Sequence, residues 1–330
     1  GMQLLDVPKR TWSGEVCEIL RIDAKILPEV YESSYISGYV NAQAAEETGL
    51  YKGTPVAGGA GDQAASAVGN GIIEQGKVSD TLGSSGVVFA HTQEPLIDKL
   101  GRVHTFCHAV EGQWHVMGVT QGAGLSLKWF KDNFYQAEAK QAAEQNLNIY
   151  DIIMDQVQKI KIGADNLIFL PYLMGERTPH LDTNARGVFF GISAIHTKAH
   201  FARAVVEGIT YSQRDCLNIL IDMGVKPEYI VAGGGGAKSA YWRQMLADNF
   251  KRDVYTLQQD AGGCLGAAIL SGVGTGLYRD VKTACESILK LENKTTPDMA
   301  ASQIYDQYYQ VYQSLYGDLK HRFKILSEVV

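Results

Sequence analysis

Val78-Ser79-Asp80-Thr81-Leu82-Gly83-Ser84-Ser85-Gly86-Val87-Val88-Phe89-Ala90 reads as strand, tight Gly/Ser turn, strand. The hydrophobic period changes to two at residue 78, which is the signature of a hairpin. Two more strand-like runs follow, Val103 to Val110 and Trp114 to Val119, joined by a turn at Glu111-Gly112. A meander of about four strands followed by helices predicts an α/β sheet.

Downstream, residues 124–160 are helix-rich, with Trp129, Phe130, Phe134, Ile152, Ile153 and Val157 as expected core positions. Leu167 to Pro171 reads as a short apolar strand, and Gly175 to Gly187 as a polar loop. Apolar residues recur at helical spacing from His200 to Met223. Tyr229-Ile230-Val231-Ala232 reads as a strand feeding Gly233-Gly234-Gly235-Gly236, with helices over 239–250, 262–276 and 304–326. Upstream, residues 8–40 show no clear strand set, and Trp12 to Ile22 suggests a short helix. Pro55 to Gly59 predicts a short buried strand, and residues 63–75 a helix packed through Ala64, Ala65, Ala67 and Val68.

The chain has 330 residues, is 45% hydrophobic and carries a formal net charge of −6. That length suggests two domains or one large one. Without a basic run, a nucleic-acid partner has little electrostatic support. The five cysteines (17, 107, 216, 264 and 285) are odd in number and lack CxxC spacing, as expected of reduced cytoplasmic thiols. No apolar stretch reaches the roughly 20 residues of a membrane span, and no signal peptide is read.

Asp62, in Gly58-Gly59-Ala60-Gly61-Asp62-Gln63, has two compatible readings: the N-cap of the helix that follows, or a general base at a cleft. Gly83-Ser84-Ser85-Gly86 is either an ordinary turn or a phosphate loop donating backbone amides and the Ser84 and Ser85 hydroxyls. Gly122-Ala123-Gly124 opens a helix, either for close packing or as part of a nucleotide pocket. Gly233 to Gly236 departs from GxGxxG spacing, because Ala237-Lys238-Ser239 follow. Consecutive glycines there let a flat ligand, adenine or ribose, lie on bare backbone. His180, His196 and His200 read as surface or capping histidines rather than metal ligands. Glu176, Arg177 and His180 are expected in an exposed loop, and Tyr305, Tyr308, Tyr309, Tyr312 and Tyr316 as packing or an oligomer face.

Taken together, these residues resemble the FGGY family of carbohydrate kinases. Gly187 to Ile192, His200-Phe201 and Ala204 to Glu207 look like its C-terminal signature, and Gly175 to His180 like the loop of its D-xylulose-phosphorylating branch. Gly234 to Ser239 with Tyr241 to Asp248 looks like its adenosine motif. The resemblance implies two actin-like (ribonuclease H-like) domains with ATP, Mg²⁺ and sugar in the cleft between them. It implies that residues 1–70 are the tail of the N-terminal domain and 71–330 the C-terminal, nucleotide-binding domain. Asp62 is then the catalytic base and Gln63 a sugar contact. Gly83, Ser84, Ser85, Gly124, Gly235, Gly236 and Ser239 line the nucleotide, with Ser84 where the family usually has Thr. The implied reaction is ATP-dependent phosphorylation of D-xylulose, with gluconate or another sugar as the alternative acceptor; no metal-ligating residue is assigned. The family's opening strand, first phosphate hairpin and Mg²⁺-linked Asp have no counterpart in the sequence. The chain is therefore expected to be the C-terminal portion of a kinase, or a non-catalytic nucleotide-binding module. Residues 1–60 are expected to be rearranged, or covered by a second copy or by the missing N-terminal half.

Overall fold

The computed structural model describes residues 2–259 and 262–329. The first stretch is a set of small pieces. Leu5–Asp6 (β1) pairs antiparallel with Thr11–Trp12 (β2), and Gly14–Ile19 (α1) follows under a Ser13 N-cap. Ile36–Tyr39 (β3), Ala42–Thr48 (α2) and Pro55–Ala57 (β4) come next, β3 pairing antiparallel with β4. Two expectations fail here. Trp12 lies in a strand rather than a helix, and β4 is largely exposed rather than buried, although the helix Gly262–Gly274 packs beside the pair, where a Cβ on Gly274 would lie 2.2 Å from Ser34 O.

The helix Asp62–Gly69 (α3) opens the packed part. It is shorter than expected, because Gly71 turns the chain at φ +72°. The strands Lys77–Leu82 (β5), Gly86–Thr92 (β6), His104–Cys107 (β7) and Trp114–Thr120 (β8) follow, then the helices Gly124–Phe134 (α4), Gln136–Glu144 (α5) and Ile149–Val157 (α6). Ile168–Leu170 (β9) pairs antiparallel with Val188–Phe190 (β10). Next come Lys198–Asp222 (α7), Tyr229–Gly234 (β11), Ala240–Phe250 (α8), Asp253–Leu257 (β12), Gly262–Gly274 (α9), Val281–Ile288 (α10), Leu291–Thr295 (β13) and Met299–Glu328 (α11).

Seven strands form one mixed sheet in the order β13-β12-β11-β5-β6-β8-β7. β11 lies parallel to both β5 and β12, whereas β6, β8 and β7 continue from β5 as antiparallel neighbours. An antiparallel set on one side of β5 and parallel strands on the other is the actin-like, ribonuclease H-like arrangement. The hairpin is where the sequence puts it, but the simple meander is not. β7 crosses to the sheet edge and pairs only with β8, leaving β6 buried along its whole length between β5 and β8. The half-exposed pattern of β7 suits an edge, and the continuous apolar run of β6 suits an interior strand.

Side chains alternate across the sheet. Val78, Leu82, Val88, Ala90 and Val116 face α7 and α11, where the largest core cluster forms. Val87, Phe89, Met117, Val119 and Val231 face the other way and pack with Ala67 and Ile72. α7 is buried nearly all round, as a helix between a sheet and a second helical layer must be. The tyrosine stripe of α11 serves packing: Tyr305, Tyr309, Tyr312 and Tyr316 are buried, and Tyr309 donates to Asp215 Oδ1 at 2.5 Å. His196 and His200 close turns, with Nδ1 atoms accepting from the Ser193 and Thr197 amides at 2.9 and 3.1 Å.

Candidate active site

Three glycine-bearing turns meet at the end of β5. The first is the β5–β6 hairpin itself, closed by the pairing of Leu82 with Gly86. The second is the entry to α4. The Gly124 amide donates to Gly83 O at 2.8 Å and the Leu125 amide to Ser84 O at 3.0 Å. A Cβ on Gly124 would stand 2.5 Å from Gly83 O, so the two turns touch backbone to backbone only because residue 124 is glycine. The third is the run after β11. Gly234 adopts φ +77°, with Leu82 O 2.6 Å from where its Cβ would be. Gly235 differs from its neighbours: a Cβ there would meet nothing nearer than Leu82 O at 4.0 Å, which leaves open space beside bare backbone.

Gly83, Ser84, Gly124, Gly235, Gly236 and Ser239 wall one cavity of about 360 Å³. That is the size range of a site for a nucleoside or similar ligand. Its opposite wall carries Lys128 from α4, Tyr150, Asp151 and Met154 from α6, and Trp242 from α8. The helices α4, α6 and α8 all begin at this cavity, since Gly124, Asn148 and Ser239 line it. Each helix N-terminus turns the positive end of its dipole to the cavity, so three of them favour an anionic guest, although the first amides of α4 are already bonded to Gly83 O and Ser84 O. Asn148 and Ser239 are themselves the caps of α6 and α8, accepting from the Tyr150 and Trp242 amides at 3.0 and 3.3 Å.

Six of the residues singled out in the sequence come together at this cavity, and the α6 wall is not among them. The signal for it was present in Asn148-Ile149-Tyr150-Asp151, a capped helix start with an acid in its first turn. Ser85 does not line the cavity, and neither do Asp62 and Gln63. The cap role read for Asp62 is not made. Gly61 is the N-cap and supplies no side chain, and Asp62 is the first helical residue. Among the described residues its exposed carboxylate is met by Gln63 Nε2 at 3.2 Å alone and holds no backbone amide. The helix α3 packs on α9, where a Cβ on Gly266 would lie 1.8 Å from Ala65 O.

The loop after β9 departs from its expected exposure: Glu176 and Thr178 are buried, and His180 is half-buried, stacked on the Tyr316 ring and hydrogen-bonded to the Tyr172 hydroxyl at 3.0 Å. Glu176 is only 4% exposed, and its Oε1 accepts from the Gln121 and Arg177 amides at 2.7 Å each. Burial raises its pKa to about 8 despite those two amides. A carboxyl tolerates this position because it satisfies the turn leading to Gly122–Gly124. Thr178 next to it bridges the Val119 amide and Arg102 O, so the loop extends along β8.

Residues 78–275 match the C-terminal domain of the FGGY family of carbohydrate kinases, and residues 1–69 match its N-terminal domain. The xylulose kinase of Staphylococcus epidermidis is 38% identical over 309 residues, covering 94% of this chain and 60% of that protein. A ligand-bound xylulose kinase from Lactobacillus acidophilus superposes with a TM-score of 0.89 at 27% identity, covering 98% of this chain and 64% of the other. A gluconate kinase from the same organism gives 0.89 at 27% identity, with 98% and 63% covered. The chain thus spans about three fifths of the length of the relatives it matches. With the sheet order, the three converging turns and these matches together, the chain belongs to the FGGY family of carbohydrate kinases.

Proposed function

We propose that this chain serves an ATP-dependent phosphorylation of a sugar hydroxyl, with D-xylulose as acceptor and D-xylulose 5-phosphate as product. The observation that carries the reading is the convergence of three helix N-termini and three glycine turns on one cavity. Gly235 offers bare backbone for the nucleoside, and Gly236 beside it closes against Leu82 and Trp242. The hairpin amides and the Ser84 hydroxyl donate to phosphoryl oxygens, where preorganised donors stabilise the charge of the transferring group. Asp62 accepts the proton of the attacking hydroxyl, and Gln63 holds the sugar. The exposed, uncapped carboxylate of Asp62 suits that task. Mg²⁺ is part of the substrate, carried on the ATP phosphates; among the described residues no three His, Cys, Asp or Glu side chains gather as a site for it. Residues 1–70 form the end of the sugar-side domain and 71–330 the nucleotide side, a division that the separate family matches support. Free cysteines and the lack, among the described residues, of a helix able to cross a membrane suit a cytoplasmic setting.

D-Gluconate is the second reading, because the gluconate kinase superposes as well as the xylulose kinase does. ADP release measured with each acceptor tests the pair, and faster turnover of D-gluconate would reverse the choice. Asp62→Asn is expected to lower turnover by roughly 10²–10⁴-fold with ATP binding unchanged, as loss of a general base does. Near-normal turnover in that variant would remove Asp62 from the mechanism.

A further inference from the structure

Asp80 stands where a hydrophobic residue is expected. Its strand neighbours on the same face, Val78 and Leu82, are 0% and 2% exposed and belong to the largest core cluster. Asp80 is 0% exposed and lies between them, opposite Val88 on β6 and Ala232 on β11. Its Oδ1 accepts from Gln213 Nε2 on α7 at 2.9 Å, and its Oδ2 has no partner among the described residues. Gln213 Oε1 in turn receives the Thr120 hydroxyl of β8 at a long 3.4 Å. Gly86, the exit residue of the hairpin, has no room for a side chain: its Cβ would lie 2.3 Å from Gln213 Nε2. One polar unit therefore ties β5, β6, β8 and α7 together directly beneath the Gly83–Gly86 turn. A buried polar pair at a core position lowers stability relative to apolar packing, so its presence calls for another role.

We propose that Asp80 and Gln213 are positioning residues for the phosphate hairpin, holding the Gly83–Gly86 turn from below in the shape that binds the nucleotide. This inference rests on the nucleotide reading of the cavity given above. Burial raises the Asp80 pKa to about 8, against the donation from Gln213. At neutral pH the pair is thus a neutral carboxyl with a neutral amide. Cys216 on α7 also senses this carboxyl, as it senses Asp215 and Glu176, and burial pushes its thiol well up. Among the described residues no cation faces Asp80, so ionisation leaves a buried charge without compensation.

The test compares Asp80→Leu with Asp80→Asn in the full chain. Calorimetry with MgATP, chemical denaturation and amide hydrogen exchange at residues 83–86 are the readouts. Asp80→Leu is expected to be as stable as the parent or more so. It should also bind ATP about tenfold more weakly, as expected when a hydrogen bond no longer holds the turn, and exchange the hairpin amides faster. Asp80→Asn keeps an acceptor for Gln213 and should match the parent in affinity and exchange. The parent should lose affinity above pH 8, and Asp80→Asn should not. Parent-like affinity and amide exchange in Asp80→Leu would overturn the proposal, as would equal losses in stability and binding for both variants. If the parent itself binds no ATP, the nucleotide reading fails, and the amide exchange still decides whether Asp80 holds the turn.

Discussion

Residues 3–61 and residues 62–329 solve the folding problem in different ways. In the first stretch Cys17 is the one buried side chain. Ile19, Ile26 and Tyr51 are 71%, 75% and 88% exposed. In the second, α7 alone buries residues from Ala202 to Leu220 almost without interruption between the sheet and α11. Apolar burial, at about 25 cal/mol per Å², thus stabilises the second stretch and contributes little to the first. The first is held instead by single attachments to the β7–β8 hairpin and by the close approach of Gly274 on α9 to Ser34 and Ile36. Trp114 Nε1 donates to Val7 O at 2.9 Å, and Arg10 donates to Gln113 O at 2.8 Å. The comparison teaches that one region behaves as a cooperative unit and the other as a set of pinned segments.

The strongest way to break the unit is at its buried ion pair. Arg203 is fully buried and donates to Glu207 Oε1 at 2.6 Å and to Tyr305 Oη at 2.7 Å, with Tyr241 as a third partner. Glu207 also accepts the Gly163 amide at 3.0 Å. Arg203→Ala leaves a buried carboxylate alone and is expected to lower global stability by about 3–5 kcal/mol. Replacing both partners together, Arg203→Met with Glu207→Leu, should cost much less. Urea denaturation of the three variants reads this; equal losses would mean that packing, not charge, dominates there.

A pH series sharpens the same contrast. Burial raises both Asp80 and Glu176 to about 8, above their ordinary carboxylate values. The folded chain therefore keeps protons that the unfolded chain has released, and stability falls as pH rises toward 8. Below about pH 6.5 the buried histidines oppose this: His108 and His115 are pushed down to about 3 by burial and stay neutral when folded, so acid favours the unfolded chain. Stability should then decline from pH 6.5 to 8, by up to about 1.4 kcal/mol per pH unit for each of the two carboxyls. Denaturation at pH 6.5, 7.2 and 8 measures the slope, and Asp80→Asn should roughly halve it. A flat profile would show that the carboxyls ionise freely.

The contact of α3, the first helix of the packed region, with α9 gives a smaller effect. α3 packs on α9 through Gly69, Gly262 and Gly266, and a methyl at Gly266 would overlap Ala65 O. Gly266→Ala is expected to cost about 1–3 kcal/mol by overpacking. It should also shift Asp62, carried at the start of α3, and so reduce turnover more than it reduces ATP affinity. A loss of ATP affinity equal to the loss in turnover would argue against that route.

What the sequence reveals follows from how local each signal is. The hairpin at 78–90 and the turns at Gly122–Gly124 and Gly233–Gly236 are legible because period-two alternation and glycine chemistry act within a few residues. The edge position of β7 is not legible, since strand order depends on what β6 buries on both sides. Asp62 misleads as a cap because Gly61, in an extended conformation at φ −60° and ψ 153°, already occupies that place. Burial of Glu176 and Asp80 is hidden for another reason. Their partners, Gln121 and Gln213, are far away in sequence, and a carboxyl alone reads as surface.

The smallest effect belongs to the pinned region. Arg10 adopts φ +57°, pairs with Glu32 through two hydrogen bonds at 2.9 and 2.8 Å, and lies over the Trp114 ring at 5.3 Å from its centroid. It links three pieces of chain that share no apolar core. Arg10→Ala should change global stability by less than about 1 kcal/mol, because the pair is partly exposed and the cooperative unit does not include it. Locally the outcome differs. Amides near residues 10–13 and around Glu32 should exchange faster, while those of β5, β6 and α7 keep their protection, since local opening and global unfolding draw on separate contacts. Proteolysis within residues 2–35 should accelerate in step. If Arg10→Ala instead lowered the global midpoint as much as Gly266→Ala does, the first stretch would be part of the cooperative unit, and the division drawn between the two regions would fall.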